Sequence, residues 1–170
     1  EELMRQKDRL ANDELYPPLD DNYIAQDFET QFKYRLSKDT IKFAKQGVED
    51  LKRLAVYTLL FNSKIESISI VDNIESSQIT IARTDEWQGN GLSYLSVDAK
   101  DELGNIKFEQ SVAYKSNDNF KLAIPVTLQN KTLDKVLPKP EYVPSLFKDL
   151  PLIGTENWML PLVCNCTSFE

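Results

Sequence analysis

The strongest constraint on this chain is a change of hydrophobic period along its length. From residue 65 to 128 it carries five short runs of apolar residues, IESISIVD (65–72), QITIAR (78–83), GLSYLSVDA (91–99), IKFEQSVAYKS (106–116) and FKLAIPVTL (120–128). Polar turn-formers separate them, including Asn73 to Ser77, Gly89-Asn90-Gly91 and Asp101 to Asn105. Side chains of a strand point alternately to its two faces, so such runs read as strands with one drier face. The connections are too short to carry crossover helices, which predicts an antiparallel meander rather than βαβ units. Gly104-Asn105 suits a hairpin turn. Pro125, which has no N–H for a ladder bond, is expected to put its run at a sheet edge or a bend.

Before residue 61 the period is different. Ile41, Ala44, Val48, Leu51, Ala55 and Thr58/Leu59 fall down one helical face, while Lys42, Lys45, Glu49, Lys52 and Arg53 occupy the other. This pattern predicts an amphipathic helix from about 38 to 60, with Ser37 as N-cap and Asp39 in its first turn. Gly47 lies inside it, where glycine costs about 1 kcal/mol against alanine, so a close contact is expected there. Further upstream, EELMRQKDRLAN (1–12) suits a short helix, ELYPPLDDNYIAQD (13–26) a linker, and Phe28 to Leu36 a half-buried strand. Downstream, Pro138, Pro140, Pro144, Pro151 and Pro161 leave room for one helical turn at most before LPLVCNCTSF, which reads as a last strand. The expected fold class is therefore α+β: an antiparallel meander packed against one long amphipathic helix, with a short N-terminal helix and a Pro-rich C-terminal extension. Residues 1–26 would be helix and linker, and 27–170 a single α+β domain.

The residue inventory removes several functions. With 170 residues, a hydrophobic core needs no disulfide or metal to hold it. There is no histidine, which excludes Ser-His-Asp and Cys-His nucleophile activation, histidine-ligated zinc or haem, and an imidazole pH switch. Twenty basic against 27 acidic side chains give a net charge of −7, so binding to nucleic acid through phosphate neutralisation is not expected. No apolar run approaches the roughly 20 residues that span a bilayer. With no signal peptide, a cytoplasmic setting is expected. The chain opens on Glu1-Glu2 and stops at Ser168-Phe169-Glu170, which reads as a segment of something longer.

No motif selects a reaction. Cys164 and Cys166 lie two apart on the last expected strand, facing one side, and no other Cys or His could complete a four-ligand metal site. They are read as small structural hydrophobes, with a redox pair or a metal as the alternatives. Asn130-Lys-Thr132 and Asn165-Cys-Thr167 match the glycosylation sequon, a pattern that chance supplies in a chain this rich in Asn, Ser and Thr. Asp98 to Gly104 lacks the third ligand of a calcium loop. Nothing in the spacing singles out a general acid–base pair. No glycine-rich phosphate cradle occurs, and the lysine stripe of the helix is broken by Glu49 and Asp50. Trp87 in TDEWQGNG and Trp158 in GTENWMLP sit among turn-forming residues, where an aromatic can anchor a partner. They are the candidate interaction residues, and no catalytic, cofactor-binding or metal-ligating residue is assigned.

Two stretches resemble one family. FETQFKYRLS (28–37), a helix, and VYTLLFNSKIESISIVD (56–72) are similar to a passage of the sacsin-like GHKL ATPases, whose nucleotide-binding unit resembles that of the heat-shock chaperones. LPLIGTENWMLPLVCNCTSFE (150–170) is similar to that family's LPL…TG-x-P-V-x-V-N-x-x-F passage, with Leu150-Pro151-Leu152, Pro161-Leu162-Val163, Asn165 and Phe169 in matching places. The sequence holds no helical Glu-x-x-x-Asn for magnesium, no Asp-x-Gly-x-Gly and no glycine-rich lid, and its last arginine is Arg83. The resemblance thus implies a non-catalytic middle or transducer-like segment that binds no cofactor itself, ATP and Mg²⁺ belonging to the parent protein. The implied partners are an upstream ATPase domain of the same chain and an unidentified client protein, with no nucleic acid and no membrane. The alternative is a stand-alone module that holds a peptide or protein on the sheet edge near Pro125 or on the Trp87 and Trp158 loops.

Overall fold

A computed structural model of the chain describes residue 37, residues 40–72 and residues 76–166. The expected N-terminal helix, linker and first strand lie outside these residues. Among the described residues one helix, α1 (Ile41–Phe61), precedes nine strands: β1 (Ser67–Asp72), β2 (Ser77–Gly89), β3 (Leu92–Asp101), β4 (Ile106–Ser116), β5 (Phe120–Gln129), β6 (Thr132–Val136), β7 (Leu146–Lys148), β8 (Leu150–Pro151) and β9 (Val163–Cys166). They form a single curled sheet with the order β1-β2-β3-β4-β5-β9-β7-β8, and β6 also pairs with β5.

Strands β1 to β5 run as the antiparallel meander that their alternation predicts. The β2–β3 turn uses Asn90 and Gly91 at φ 53° and 76°, and Gly104 at φ 81° turns β3 into β4. These are left-handed values that glycine and asparagine reach at least cost. One more hairpin was not visible in the sequence pattern. Asn130 and Lys131, at φ 51° and 60°, fold β6 back on β5 without any glycine.

Pro125 does not mark an edge. It sits within β5 opposite Val112 of β4, and its carbonyl accepts a bond from the Leu137 amide. The N–H and C=O of a strand residue point to the same side, so the position that lacks an N–H faces away from β4. On that side β9 pairs with Phe120 to Ala123 and β6 with Val126 to Gln129, leaving Pro125 in the gap between two partners. The ladder therefore loses no bond there.

The sheet has two dry faces. On one, Ile81, Leu95, Val97, Val112 and Val163 pack with Leu59, Leu60 and Phe61 of the helix and with Phe147. On the other, Tyr94, Ala113 and Val126 gather Trp87, Ile124 and Leu133. A β-bulge distributes β2 between them. Arg83 pairs with Val97 but Asp85 with Ser96, leaving Thr84 as the extra residue. Odd-numbered Ile79 and Ile81 face the helix, whereas odd-numbered Trp87, beyond the bulge, faces the opposite side.

The expectation of a sheet packed along one long amphipathic helix is corrected by this arrangement. The fold is mainly β: strands take half of the described residues and the helix 17%. Residues Leu54 to Phe61 are all buried, but the same apolar stripe is only partly covered nearer the N-terminus, where Ile41 and Leu51 are exposed and Ala44 and Val48 half-buried. LAVYTLLF is apolar all round and is swallowed whole, whereas the amphipathic turns before it meet little of the sheet. The expected close contact at Gly47 is absent, since a Cβ there would find nothing within 4 Å. The helix starts one turn later than expected, with Thr40 at its N-cap.

The Pro-rich segment is no mere extension. Residues 146–166 return to the sheet, with β9 antiparallel to β5 and β7 parallel to β9.

Candidate interaction surface

Two cations tie the buried end of α1 to the sheet. Arg83 of β2 donates from Nη2 to the carbonyl of Leu59 and, at 3.3 and 3.5 Å, to those of Asn62 and Ile65. Lys121 of β5 donates to the Leu60 carbonyl at 3.1 Å. The last carbonyls of a helix have no partner inside it and carry the negative end of its dipole, so two buried-side cations are well matched to them. Tyr57 and Phe61 close the same end against Phe147, with ring centroids 6.2 and 5.0 Å apart.

The C-terminal loop beside this junction is held from within. Ser145 donates its amide to the Thr155 carbonyl (3.2 Å) and its hydroxyl to the Trp158 carbonyl (3.3 Å). The Thr155 hydroxyl accepts from the Leu146 amide at 3.1 Å and donates to the Leu152 carbonyl at 2.8 Å. Lys139 reaches the carbonyls of Val143 and Glu156 at 2.6 and 3.2 Å, and burial pushes its pKa down, partly opposed by the Glu156 charge. Gly154, at φ 99°, makes the turn. Despite this bracing, the loop turns apolar groups outward. Met159 is fully exposed, Ile153 78% and Trp158 51%, with Leu150 and Leu160 also open to solvent. A braced backbone bearing exposed apolar side chains loses little entropy on binding, which is what an interaction site needs.

The two tryptophans named by the sequence have different fates. Trp158 stands on this loop and lines a cleft of about 450 Å³ with Lys139, Glu141 and Met159. Trp87 is not in a turn. It lies within β2, stacked on Tyr94 with centroids 5.3 Å apart, under the ammonium of Lys131, which also pairs with Asp85. It borders a cleft of about 490 Å³ whose walls are Thr84, Asp98, Glu109 and Ser111. The tryptophans therefore belong to separate clusters. The exposed leucines, isoleucine and methionine of the loop were missed because LPLIG follows neither period. The turn-forming Gly154 between Ile153 and Thr155 was their one signal.

Other sequence candidates acquire structural duties. Asp101 organises the β3–β4 tip, accepting from the Leu103 and Asn105 amides and pairing with Lys107 at 2.8 Å. The Lys107 and Asn105 hydrogen bonds hold its carboxyl well below the usual range. The lysine stripe of α1 is partly self-neutralised, with Lys52 on Glu49 and Arg53 near Asp50 and over the Tyr142 ring. Asn165 is buried and accepts from the Asp149 amide at 2.7 Å, so its sequon is occupied by a packing role. Tyr114 donates to Glu86, and burial followed by that carboxylate pushes its phenol up to about 12. Cys164 and Cys166 are free and half-buried, burial and then Cys166 pushing the Cys164 thiol up. Among the described residues, no group of three or more His, Cys, Asp or Glu is placed to hold a metal ion, and no helix is long and apolar enough to cross a membrane.

Compared with known proteins, the chain matches no family model, no curated protein and no solved structure.

Proposed function

We propose that this chain is a non-catalytic coupling segment of a GHKL-type, chaperone-like ATP-binding protein, passing the state of an upstream ATPase domain to regions further along. The observation that carries the reading is the convergence of the described parts of the two stretches that resemble the family. Leu59 and Leu60 of the first share a core with Val163 of the second, and Phe147, just before the second, packs on Tyr57 and Phe61. A helix clamped by Arg83 and Lys121 at one end, and largely wet at the other, also suits a lever between two bodies.

ATP and Mg²⁺ would belong to the parent protein, and this segment would bind neither. Calorimetric titration of the 170 residues with Mg·ATP and with ADP is then expected to give no heat of binding. A dissociation constant of millimolar or tighter for either nucleotide would refute the assignment.

A second reading, a stand-alone protein-binding module, is favoured by the braced apolar loop around Trp158. The parent sequence separates the two. Magnesium-binding and adenine-binding boxes upstream of Glu1 belong to the coupling segment, and their absence favours the module.

A further inference from the structure

Cys164 and Cys166 are both free, and neither fills the core face of its strand. In β9 the core face is taken by Val163 and Asn165, which are 0% and 4% exposed. The thiols occupy the opposite face and are both half-buried. Their neighbours on that face are apolar: Leu122 and Leu146 stand opposite Cys164, and Phe120 opposite Cys166. Residues two apart on a strand have Cα atoms about 6.5 Å apart. That lies near the upper end of the range of about 4.4–6.8 Å usual for a disulfide, beyond its commonest value of about 5.5–6 Å. It is comfortable for two sulfurs clasping one ion, since thiolate–metal bonds of about 2.3 Å set opposed sulfurs about 4.6 Å apart.

We propose that Cys164 and Cys166 form a two-thiol site for a soft, thiophilic monovalent ion of the Cu(I) class. Zinc requires about four ligands, and the whole chain has two cysteines and no histidine. A d¹⁰ monovalent ion is content with two thiolates, and soft sulfur ligands select it over magnesium or calcium. Leu122 and Leu146 give the ion half-buried apolar neighbours, and Phe120 an exposed one. Each thiol gives up its proton on binding, so two protons are released per ion.

The test is anaerobic competition for Cu(I) against bicinchoninate, using the full chain. One ion per chain is expected, and Cys164→Ser and Cys166→Ser should each weaken binding about 100-fold through loss of the second, tethered ligand. Two independently bound ions, or a serine variant that binds as tightly as the native chain, would overturn the site. A second measurement needs no variant. Phenylarsine oxide should condense with both thiols, consuming two thiols per arsenic and releasing one water. Two arsenic atoms per chain would equally refute the proposal.

Discussion

Replacing Arg83 by methionine should loosen the junction between helix and sheet more than replacing Lys121 does. The substitution keeps the apolar stem and removes the guanidinium that caps α1. Of its three carbonyl contacts, those to Leu59 and Asn62 carry the weight, the one to Ile65 being at the 3.5 Å limit. Hydrogen bonds from a charged donor contribute about 1.5–3 kcal/mol each, and a cation at a helix C-terminus about 0.3–1 kcal/mol. Against this, Arg83 Nε is buried with no partner, a cost of about 1–3 kcal/mol that the variant relieves. The net loss is then about 3 kcal/mol. At about 2–4 °C per kcal/mol for a chain of this size, Tm should fall by about 6–12 °C. Lys121→Met, which removes one charged bond to Leu60, should cost about 2 kcal/mol. Thermal denaturation followed by circular dichroism measures both, and hydrogen exchange should show the amides of Leu54 to Phe61 opening sooner in the Arg83 variant. An unchanged Tm for Arg83→Met, or a larger loss for Lys121→Met, would refute the idea that Arg83 is the principal clamp.

Two further outcomes follow from local geometry. Gly47→Ala should stabilise the chain by about 1 kcal/mol, because the position is helical, exposed and has nothing within 4 Å of the added methyl; a lower Tm would mean that the glycine serves a contact after all. The depressed pKa of Asp101 means that its contribution is present above the unfolded carboxylate value of about 3.9 and is lost as pH falls from there through the folded value. Asp101→Asn should therefore flatten the acid limb of a Tm-against-pH curve below about pH 4, and a native-like acid limb in that variant would count against the Lys107 and Asn105 contacts as its cause.

How far the sequence reveals this molecule depends on the range of the interaction that decides each element. The meander was legible because alternation and turn chemistry are local: Ile79 and Ile81 announce their face, and Gly104 announces its turn. Periodicity, however, reports which side of an element is apolar, not whether anything covers it. That is why the stripe from Ile41 to Leu51 looked like a core face and proved only partly covered, and why a β-rich fold was read as a sheet layered on a helix. The bulge at Thr84 is a one-residue insertion with no glycine to mark it, yet it sends Trp87 to the face opposite Ile81. The pairing of Leu146 with Cys164 joins residues 18 positions apart in parallel, and no local pattern encodes such a partner. The candidate surface divides along the same line. Trp158 could be named from its turn context alone. Its exposed companions Ile153 and Met159 could not, because they are presented by a backbone that Ser145 and Thr155 hold from the side, through bonds between residues that are not neighbours in the chain.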